Sequence, residues 1–303
     1  MSAGLYLKIT VLLAVLTGLF VLVGLAVGLY FGDPIAFMVL FLILAGVFNF
    51  VSYYFSDSLV VRMSKAKIIK ESDNPALFAA VKNVAQKAGI PMPRVGIVDS
   101  PQPNAFATGR GPSKAVVCAT SSILQTLTPD ELEAVLGHEI GHVVHRDVLM
   151  SSVAATIAGA ISAIANVALF SMMFGGVGGN SKSRGGASPL VMLMAVLLVP
   201  VSATFIRLGI SRNDEYNADE YGAKLTRNPV GLINALQKIS TKVASRPMTS
   251  RRGQGPSPAT SSLWIVNPFK GNSLVELFST HPTTEKRVQR LKKIGREMNL
   301  YIP

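Results

Sequence analysis

Long runs of residues without any charge most constrain what this chain can fold into. The first run covers residues 9–30 and the second covers residues 35–55, with the turn residues Gly32, Asp33 and Pro34 between them. A helix rises about 1.5 Å per residue, so each run can cross a hydrocarbon layer of about 30 Å. Two further apolar runs occupy residues 149–174 and 190–206. The pattern predicts four apolar helices arranged as two hairpins.

Composition agrees with a membrane protein and excludes several other classes. Hydrophobic residues make up 49% of the 303 residues, charged residues make up 15%, and the mean hydropathy is +0.41. The net charge of +12 is typical of cytoplasmic loops under the positive-inside rule, and no nucleic-acid-binding motif accompanies it. Cys118 is the single cysteine, which excludes an internal disulfide. We therefore expect the lipid bilayer, and no nucleic acid, as a partner.

Basic residues predict the orientation of the chain in the membrane. Arg62, Lys65, Lys67 and Lys70 follow the second run, so this side of the hairpin is assigned to the cytoplasm. We expect a multi-pass protein of the cytoplasmic (inner) cell membrane. Lys182 and Arg184 lie between the third and fourth runs, and this leaves open whether the second pair crosses the membrane or enters it as a hairpin.

These assignments divide the chain into four parts, of which two are apolar and two are cytoplasmic. They are a transmembrane hairpin (1–56), a first cytoplasmic part (57–147), a second apolar hairpin (148–208) and a second cytoplasmic part (209–303). The last part contains a flexible linker near 245–262 and a basic C-terminal helix over 285–298. The fold class is a mainly α multi-pass membrane protein with four apolar helices and a cytoplasmic α+β domain that contains a small sheet.

The first cytoplasmic part has the pattern of a helix followed by a small sheet. Helical spacing of apolar residues predicts a helix over 75–88, and β-rich runs at 94–98 and 115–118 flank a possible third strand. An exposed edge strand can bind an extended peptide through main-chain hydrogen bonds. The candidate edge, for which an ordinary core strand is an equal alternative, consists of Asn104, Ala105, Phe106, Ala107 and Thr108.

The next helix carries the motif with the clearest chemistry. Thr128 and Glu131 form a T-x-x-E capping box around Pro129, which predicts the start of a helix. His138 and His142 then lie four residues apart on one face of that helix. With Glu139 between them, they form the H-E-x-x-H motif of zinc hydrolases.

Catalytic zinc needs a third protein ligand. The other histidines, His145 and His281, are alternatives, as are Cys118 and a carboxylate, but the spacing of His145 suits neither a shared helix face nor a longer known motif. We favour Glu215, because two apolar runs separate it from His142 and return the chain to the same side of the membrane. Asp219, one turn later, is placed to accept the N–H of a ligating histidine, or else is a surface carboxylate.

The expected chemistry is peptide hydrolysis with one Zn²⁺ per chain. Zinc lowers the pKa of a bound water towards ~7, and Glu139 then serves as the general base. His281 precedes Pro282 and has two equal interpretations: it donates a hydrogen bond to the oxyanion, or it caps a turn.

Four motifs together resemble the HtpX-type membrane zinc metalloproteases, which are relatives of the CAAX prenyl endopeptidases, and this resemblance implies a zincin-like protease domain. They are H-E-I-G-H from His138, E-Y-N-A-D from Glu215, N-A-F-A-T-G from Asn104 and S-T-H-P from Ser279. The resemblance covers nearly the whole chain. It implies zinc on His138, His142 and Glu215, a catalytic Glu139, and proteolytic quality control of damaged membrane proteins. Gly141 and His145 depart from the residues that are frequent in the family, Ser and Asn.

The leading hypothesis is therefore a zinc endopeptidase that cleaves misfolded or damaged membrane proteins, and unfolded polypeptides, on the cytoplasmic side. A CAAX-type processing protease is a narrower alternative. A catalytically silent membrane scaffold or transporter, in which the histidines are structural, is the alternative from a different class. Glu139 argues against a scaffold, because a scaffold has no need of a general base beside two histidines.

Overall fold

The structure, a computed structural model, describes residues 3–174, 211–245, 263–266 and 282–301. Four predictions concern residues outside these ranges: the segment with Lys182 and Arg184 between the third and fourth apolar runs, the fourth run at 190–206, most of the linker, and His281. The described residues are mainly helical and contain one small mixed sheet.

Ten α-helices and four strands are described. In chain order they are α1 (Ala3–Phe31), α2 (Pro34–Tyr54), α3 (Ser56–Met63), β1 (Lys67–Ile69), α4 (Pro75–Lys87), β2 (Arg94–Val98), β3 (Ala105–Thr108), β4 (Val116–Thr120), α5 (Ser121–Thr126), α6 (Pro129–His145), α7 (Asp147–Phe174), α8 (Arg212–Thr226), α9 (Pro229–Ser245) and α10 (Thr284–Glu297).

The first apolar hairpin is formed by α1 and α2. Two segments, Leu5–Leu29 and Pro34–Tyr54, are long and apolar enough to cross a membrane. Only 22% and 11% of their most apolar windows are buried inside the protein, so most of their apolar surface faces outward. Asp33 caps α2 by accepting a hydrogen bond from the Ala36 N–H. The predicted hairpin is therefore present as two candidate spans, and the Asp33 cap lies at the start of its second helix.

The third apolar run is helical, but its beginning belongs to the protein interior. In α7, residues 151–158 are buried, and Val153 and Ile157 pack against Leu12 and Leu16 of α1. Within the described ranges, α1 and α2 alone meet the length and hydropathy of a membrane span. Two of the four predicted apolar helices are thus found as candidate spans. Helix α7 follows α6 in the chain and packs against the membrane hairpin.

The sheet has the strand order β1-β2-β4-β3. β2 and β4 are parallel, whereas β1 and β3 pair antiparallel with their single neighbours. The three predicted strands are confirmed, and β1 is an addition. β3 lies at one end of the sheet, as the edge-strand interpretation of residues 104–108 expects. All four of its residues are nevertheless buried, as in a core strand.

Helices α4, α6, α8, α9 and α10 pack around the sheet and share one hydrophobic core. The helix α6 starts as predicted, with Thr128 and Glu131 exchanging the two hydrogen bonds of a capping box. It packs closely on α8, where a Cβ added to Gly222 would lie 2.6 Å from the backbone nitrogen of His138. The absence of a side chain at Gly222 therefore lets α8 reach the backbone of the motif helix.

Candidate metal centre

His138, His142 and Glu215 form a buried cluster between α6 and α8. One potential ligand atom from each residue lies within 4.8 Å of the others. The Nε2 atom of His142 is 3.3 Å from Oε1 of Glu215, and Nε2 of His138 is 3.8 Å from Oε2 of Glu215. These three residues are the ones the sequence predicts as metal ligands, and the fold brings them together.

The imidazole of His138 is oriented by Asp219. Its Nδ1 atom lies 3.0 Å from Oδ1 of Asp219, one turn after Glu215 on α8. A carboxylate can only accept a hydrogen bond, so this contact places the proton on Nδ1 and leaves the lone pair of Nε2 for an ion. Burial and the adjacent Arg287 lower the pKa of His138, which favours the neutral ring that a metal requires. Asp219 is completely buried, so the alternative of a surface carboxylate is wrong.

The imidazole of His142 is oriented by Asp147, which the sequence analysis missed. The Nδ1 atom of His142 lies 3.2 Å from Oδ2 of Asp147, the first residue of α7. Arg146 ends α6 in a left-handed conformation (φ 68°), and the chain turns there so that Asp147 comes back to the ring. Burial lowers the pKa of His142, but hydrogen bonds to Asp147 and Glu215 outweigh it and raise this pKa well above its ordinary value. The sequence contains a signal for this contact, because the carboxylate Asp147 comes directly after the helix that carries the histidines.

Arg287 of α10 is the second residue that the sequence analysis missed. Its guanidinium is 1% exposed and donates to Asp219 from Nε at 2.8 Å and from Nη2 at 2.7 Å. Its Nη1 atom is 3.4 Å from Oε2 of Glu215. Burial alone would raise the pKa of Asp219, but Arg287 outweighs burial and the pKa is lowered. The sequence predicts only a basic helix here and does not identify Arg287 as buried, although a signal existed: Arg287 precedes Leu291 by four residues and shares its buried face.

Glu139 lies beside the cluster and contacts the edge strand. Its Oε2 atom accepts a hydrogen bond of 3.0 Å from the Ala107 N–H of β3. Burial raises the pKa of Glu139 to about 8, with smaller opposing contributions from His142 and the Ala107 N–H. The carboxylate is therefore held in place by the same strand that the sequence analysis selected for substrate binding, and it is tuned towards a group that can exchange a proton near neutrality.

A narrow cavity of about 20 Å³ opens onto the cluster. Phe106 and Ala107 line one wall, Val148 and Ser151 line another, and Leu263, Trp264 and Ile265 close the site. Two hydrogen bonds hold this last segment: the Ile265 N–H donates to Oδ1 of Asn104 at 2.9 Å, and Arg287 donates to the Ile265 carbonyl at 3.0 Å. The strand β3, the motif helix α6 and Glu215 of α8 therefore meet around one cavity, and α10 holds the segment 263–266 through Arg287.

Other residues considered as ligands lie elsewhere or outside the described ranges. His145 is exposed and packs edge-on against Tyr221. Cys118 is a buried residue of β4, and burial raises the pKa of its thiol to about 12. Neither belongs to the metal-binding group found in the described part of the chain. His281 is not among the described residues, so its role remains a prediction.

The donor set fits zinc. Zn²⁺ binds imidazole nitrogen and carboxylate oxygen at about 2.0–2.2 Å, so tetrahedral ligand atoms lie roughly 3.4 Å apart. Oε1 of Glu215 lies 3.3 Å from Nε2 of His142 and Oε2 lies 3.8 Å from Nε2 of His138, so each carboxylate oxygen is near that spacing from one histidine. Three protein donors also leave a fourth position for water or substrate, as catalytic zinc sites do.

Comparison with known proteins places this geometry in a family. The model of Peptidase family M48 matches residues 71–295, a range that contains every residue of the cluster. A Protease HtpX homolog of Pyrococcus furiosus is 45% identical over 300 residues, which cover 99% of this chain and 99% of that protein. A Protease HtpX homolog of Syntrophobacter fumaroxidans is 43% identical over 287 residues, which cover 95% of this chain and 98% of that protein.

Among solved structures, the crystal structure of S. mikatae Ste24p matches with a TM-score of 0.45 and 19% sequence identity. The match covers 94% of this chain, which spans 65% of the length of that one. The family model and the full-length relatives carry the assignment. This chain belongs to peptidase family M48 and is a membrane metalloprotease.

Proposed function

We propose that this protein is a zinc-dependent endopeptidase that cleaves misfolded or damaged membrane proteins, and unfolded polypeptides, at the cytoplasmic face of the cell membrane. His138, His142 and Glu215 hold one Zn²⁺ per chain. The observation that carries the proposal is the convergence of these three buried side chains on one point, with Glu139 beside them. Family membership supports proteolysis over a silent scaffold or transporter.

The protein's own groups prepare the cluster for an ion. Asp219 and Asp147 each accept the N–H of one histidine, so both rings present Nε2 to the site. Arg287 balances the negative charge of Asp219 and Glu215 within the buried cluster. Zinc bound there would supply Lewis-acid polarisation of the peptide carbonyl and a lowered pKa for water.

Glu139 moves the proton. Its carboxylate accepts a proton from the attacking water and then returns it to the leaving nitrogen. The raised pKa of Glu139, about 8 because of burial, helps the carboxyl group to retain the proton between these two steps. The hydrogen bond from the Ala107 N–H leaves the second carboxylate oxygen of Glu139 to face the reaction.

The substrate is proposed to bind along β3, the strand that contains Ala105, Phe106, Ala107 and Thr108. Its position at the end of the sheet gives it one unpaired side, and that side is where Glu139 lies. Asn104 precedes the strand and is fully buried, with its Nδ2 atom making no hydrogen bond to the described residues. This amide group is suited to donate to a substrate carbonyl.

The proposed substrates follow from the membrane hairpin and the basic residues after it. A protease held at the lipid surface meets the loops and ends of other membrane proteins. The cytoplasmic side is inferred from Arg62, Lys65, Lys67 and Lys70, which follow α2 and are exposed. His281 is proposed to contribute a hydrogen bond to the oxyanion.

The substitution Glu139→Gln tests the proposal. We expect the variant to keep its zinc but to cleave casein, or an unfolded membrane protein, about 10²–10⁴ times more slowly, because the general base is removed. Cleavage is measured with full-length protein in detergent, and zinc by elemental analysis of the same sample.

Glu133→Gln is the matched control, because Glu133 lies on α6 but pairs with Lys87 near the surface. It should cleave at the wild-type rate. Wild-type cleavage by Glu139→Gln would contradict the proposal. A prenylated peptide cut in preference to casein would favour CAAX-type processing instead.

A further inference from the structure

A second cavity lies beside the membrane hairpin, away from the metal cluster. Its volume is about 410 Å³, and it is bounded by the end of α2, by α3 and by the first half of α7. The lining is almost entirely apolar; its residues are Phe48, Val51, Ser52, Leu59, Met63, Thr156, Gly159 and Ala160. Because it adjoins the last turns of the span Pro34–Tyr54, the cavity lies at the level where that span leaves the membrane.

One polar atom in the cavity wall has no partner. Ser52 is fully buried, and its hydroxyl oxygen makes no hydrogen bond to the described residues. Burying a hydroxyl group without a partner costs roughly 1–3 kcal/mol. A ligand that fills the cavity with apolar atoms and offers one polar group would remove that cost.

Positive charge lies next in the chain to residues that line the cavity. Leu59 and Met63 of α3 line the cavity, and Arg62 lies beside them on the same short helix. Lys65 follows at the end of α3 in a left-handed conformation (φ 55°). Both side chains are exposed and make no ion pair or hydrogen bond with described residues. An apolar cavity is thus followed along the chain by two exposed cations that have no side-chain partner among the described residues.

From these observations we infer that the cavity binds one anionic phospholipid of the surrounding bilayer. An acyl chain occupies the apolar volume, the ester region reaches the Ser52 hydroxyl, and Arg62 and Lys65 hold the phosphate. The same molecule can satisfy all three features because acyl chain, ester and phosphate follow one another from the membrane interior to its surface. Val60 of the same helix belongs to one hydrophobic cluster with Phe106 of the active-site wall, so the lipid would rest against a helix that contacts β3.

Native mass spectrometry of the full chain in a non-ionic detergent tests the inference. Dioleoyl phosphatidylglycerol and dioleoyl phosphatidylcholine are titrated separately, and the dissociation constant of the first bound lipid is measured. We expect wild-type protein to prefer phosphatidylglycerol at least about fivefold, since each cation near the surface contributes roughly that factor. The double variant Arg62→Gln/Lys65→Gln should lose this preference.

Lys67→Gln/Lys70→Gln is the matched control for charge. It removes the same net charge from exposed residues that lie further along the chain from the lining residue Met63, on β1 and directly after it. We expect it to keep the preference for phosphatidylglycerol. Absence of a preference in the wild type, or equal loss in both double variants, would overturn the inference, because either result would show that no defined headgroup site exists.

Filling the cavity is an independent test. Ala160→Leu should weaken binding of the first lipid of either headgroup about tenfold or more, because the new side chain occupies the acyl volume. Gly46→Leu is the control, since a Cβ at Gly46 meets nothing within 4 Å on the outward face of α2. It should leave the first lipid bound as in the wild type. Equal affinity of both variants and wild type would overturn the inference.

Discussion

At the scale of single residues, Arg287 is a fully buried cation that pairs with two carboxylates. It lies 1% exposed among carboxylates, forms a bidentate contact with Asp219, and also approaches Glu215. Burial lowers the pKa of Arg287, but Asp219 outweighs burial and raises it, so the guanidinium stays charged. Removing one partner of such a pair leaves the other charge buried without compensation.

We predict that Arg287→Met destabilises the protein by about 3–5 kcal/mol, because Asp219 would remain as an uncompensated buried charge. Arg287→Lys should be intermediate, because an ammonium group cannot reproduce the two parallel hydrogen bonds to Asp219. Thermal or denaturant unfolding of the detergent-solubilised protein measures both effects.

Arg290→Met is the matched control for this prediction. Arg290 lies one turn after Arg287 on α10, and its side chain is 41% exposed. Its Nη2 atom is 3.4 Å from Oε2 of Glu220. An exposed pair of this kind contributes at most about 1 kcal/mol. Equal destabilisation by Arg287→Met and Arg290→Met would contradict the role assigned to Arg287.

The sequence identifies the proposed metal ligands better than it identifies the residues that orient them. His138, His142 and Glu215 follow from a motif with fixed helical spacing and from the return of the chain to one side of the membrane. Asp147 and Arg287 do not, because a charged residue is most often exposed and its burial depends on a partner from another element. Asp219 is the exception, because helical spacing relates it to Glu215.

At the scale of elements, the site depends on how closely α8 approaches α6. An added Cβ at Gly222 would lie 2.6 Å from the His138 nitrogen and 2.8 Å from the Gly137 carbonyl carbon. A Cβ added to Gly141 would likewise lie 3.2 Å from the Cα atom of Ala218. Small residues on both helices therefore determine the distance across which Glu215 meets the two histidines.

We predict that Gly222→Ala lowers the affinity for zinc roughly 10–100-fold. The new methyl group would push α8 away from α6 and displace Glu215, and overpacking of this kind costs about 1–3 kcal/mol. Competition with a zinc chelator measures the affinity. Gly46→Ala is the control, because its Cβ meets nothing within 4 Å and lies in the membrane hairpin. Unchanged zinc affinity in Gly222→Ala would contradict this account.

The elements themselves were predictable where several local signals agreed. The capping box at Thr128, the helical spacing after Asn74 and the β-rich runs all gave elements near the expected bounds. The strand β1 was not predicted, because three residues that begin with Lys67 have neither the length nor the alternation of a strand. Its formation depends on pairing with β2, a contact that only the folded chain provides.

At the scale of the whole molecule, the side of the membrane that carries the site follows from the proposed orientation. The native Cys118 is buried, so an introduced cysteine at an exposed position can be labelled selectively. We predict that His145→Cys, one helical turn from His142, reacts with a membrane-impermeant maleimide in inside-out vesicles but not in right-side-out vesicles. Labelling in right-side-out vesicles alone would place the site on the other face.

The metal site joins segments that are distant along the chain. Its ligands come from α6 and α8, which are separated by α7 and by residues outside the described ranges, and Arg287 on α10 joins them from a third segment. A bound ion would therefore connect the two halves of the protease domain. The central claim is that Glu215 completes this site as the third ligand.

Zinc content of the purified full chain tests that claim most directly. We predict one zinc ion per chain in the wild type and in Glu220→Ala, whose carboxylate lies on the same helix but pairs at the surface with Lys224. Glu215→Ala should lose most of its zinc during dialysis while retaining its helical content by circular dichroism, because two histidines alone hold the ion weakly. Stoichiometric zinc in folded Glu215→Ala would contradict the account.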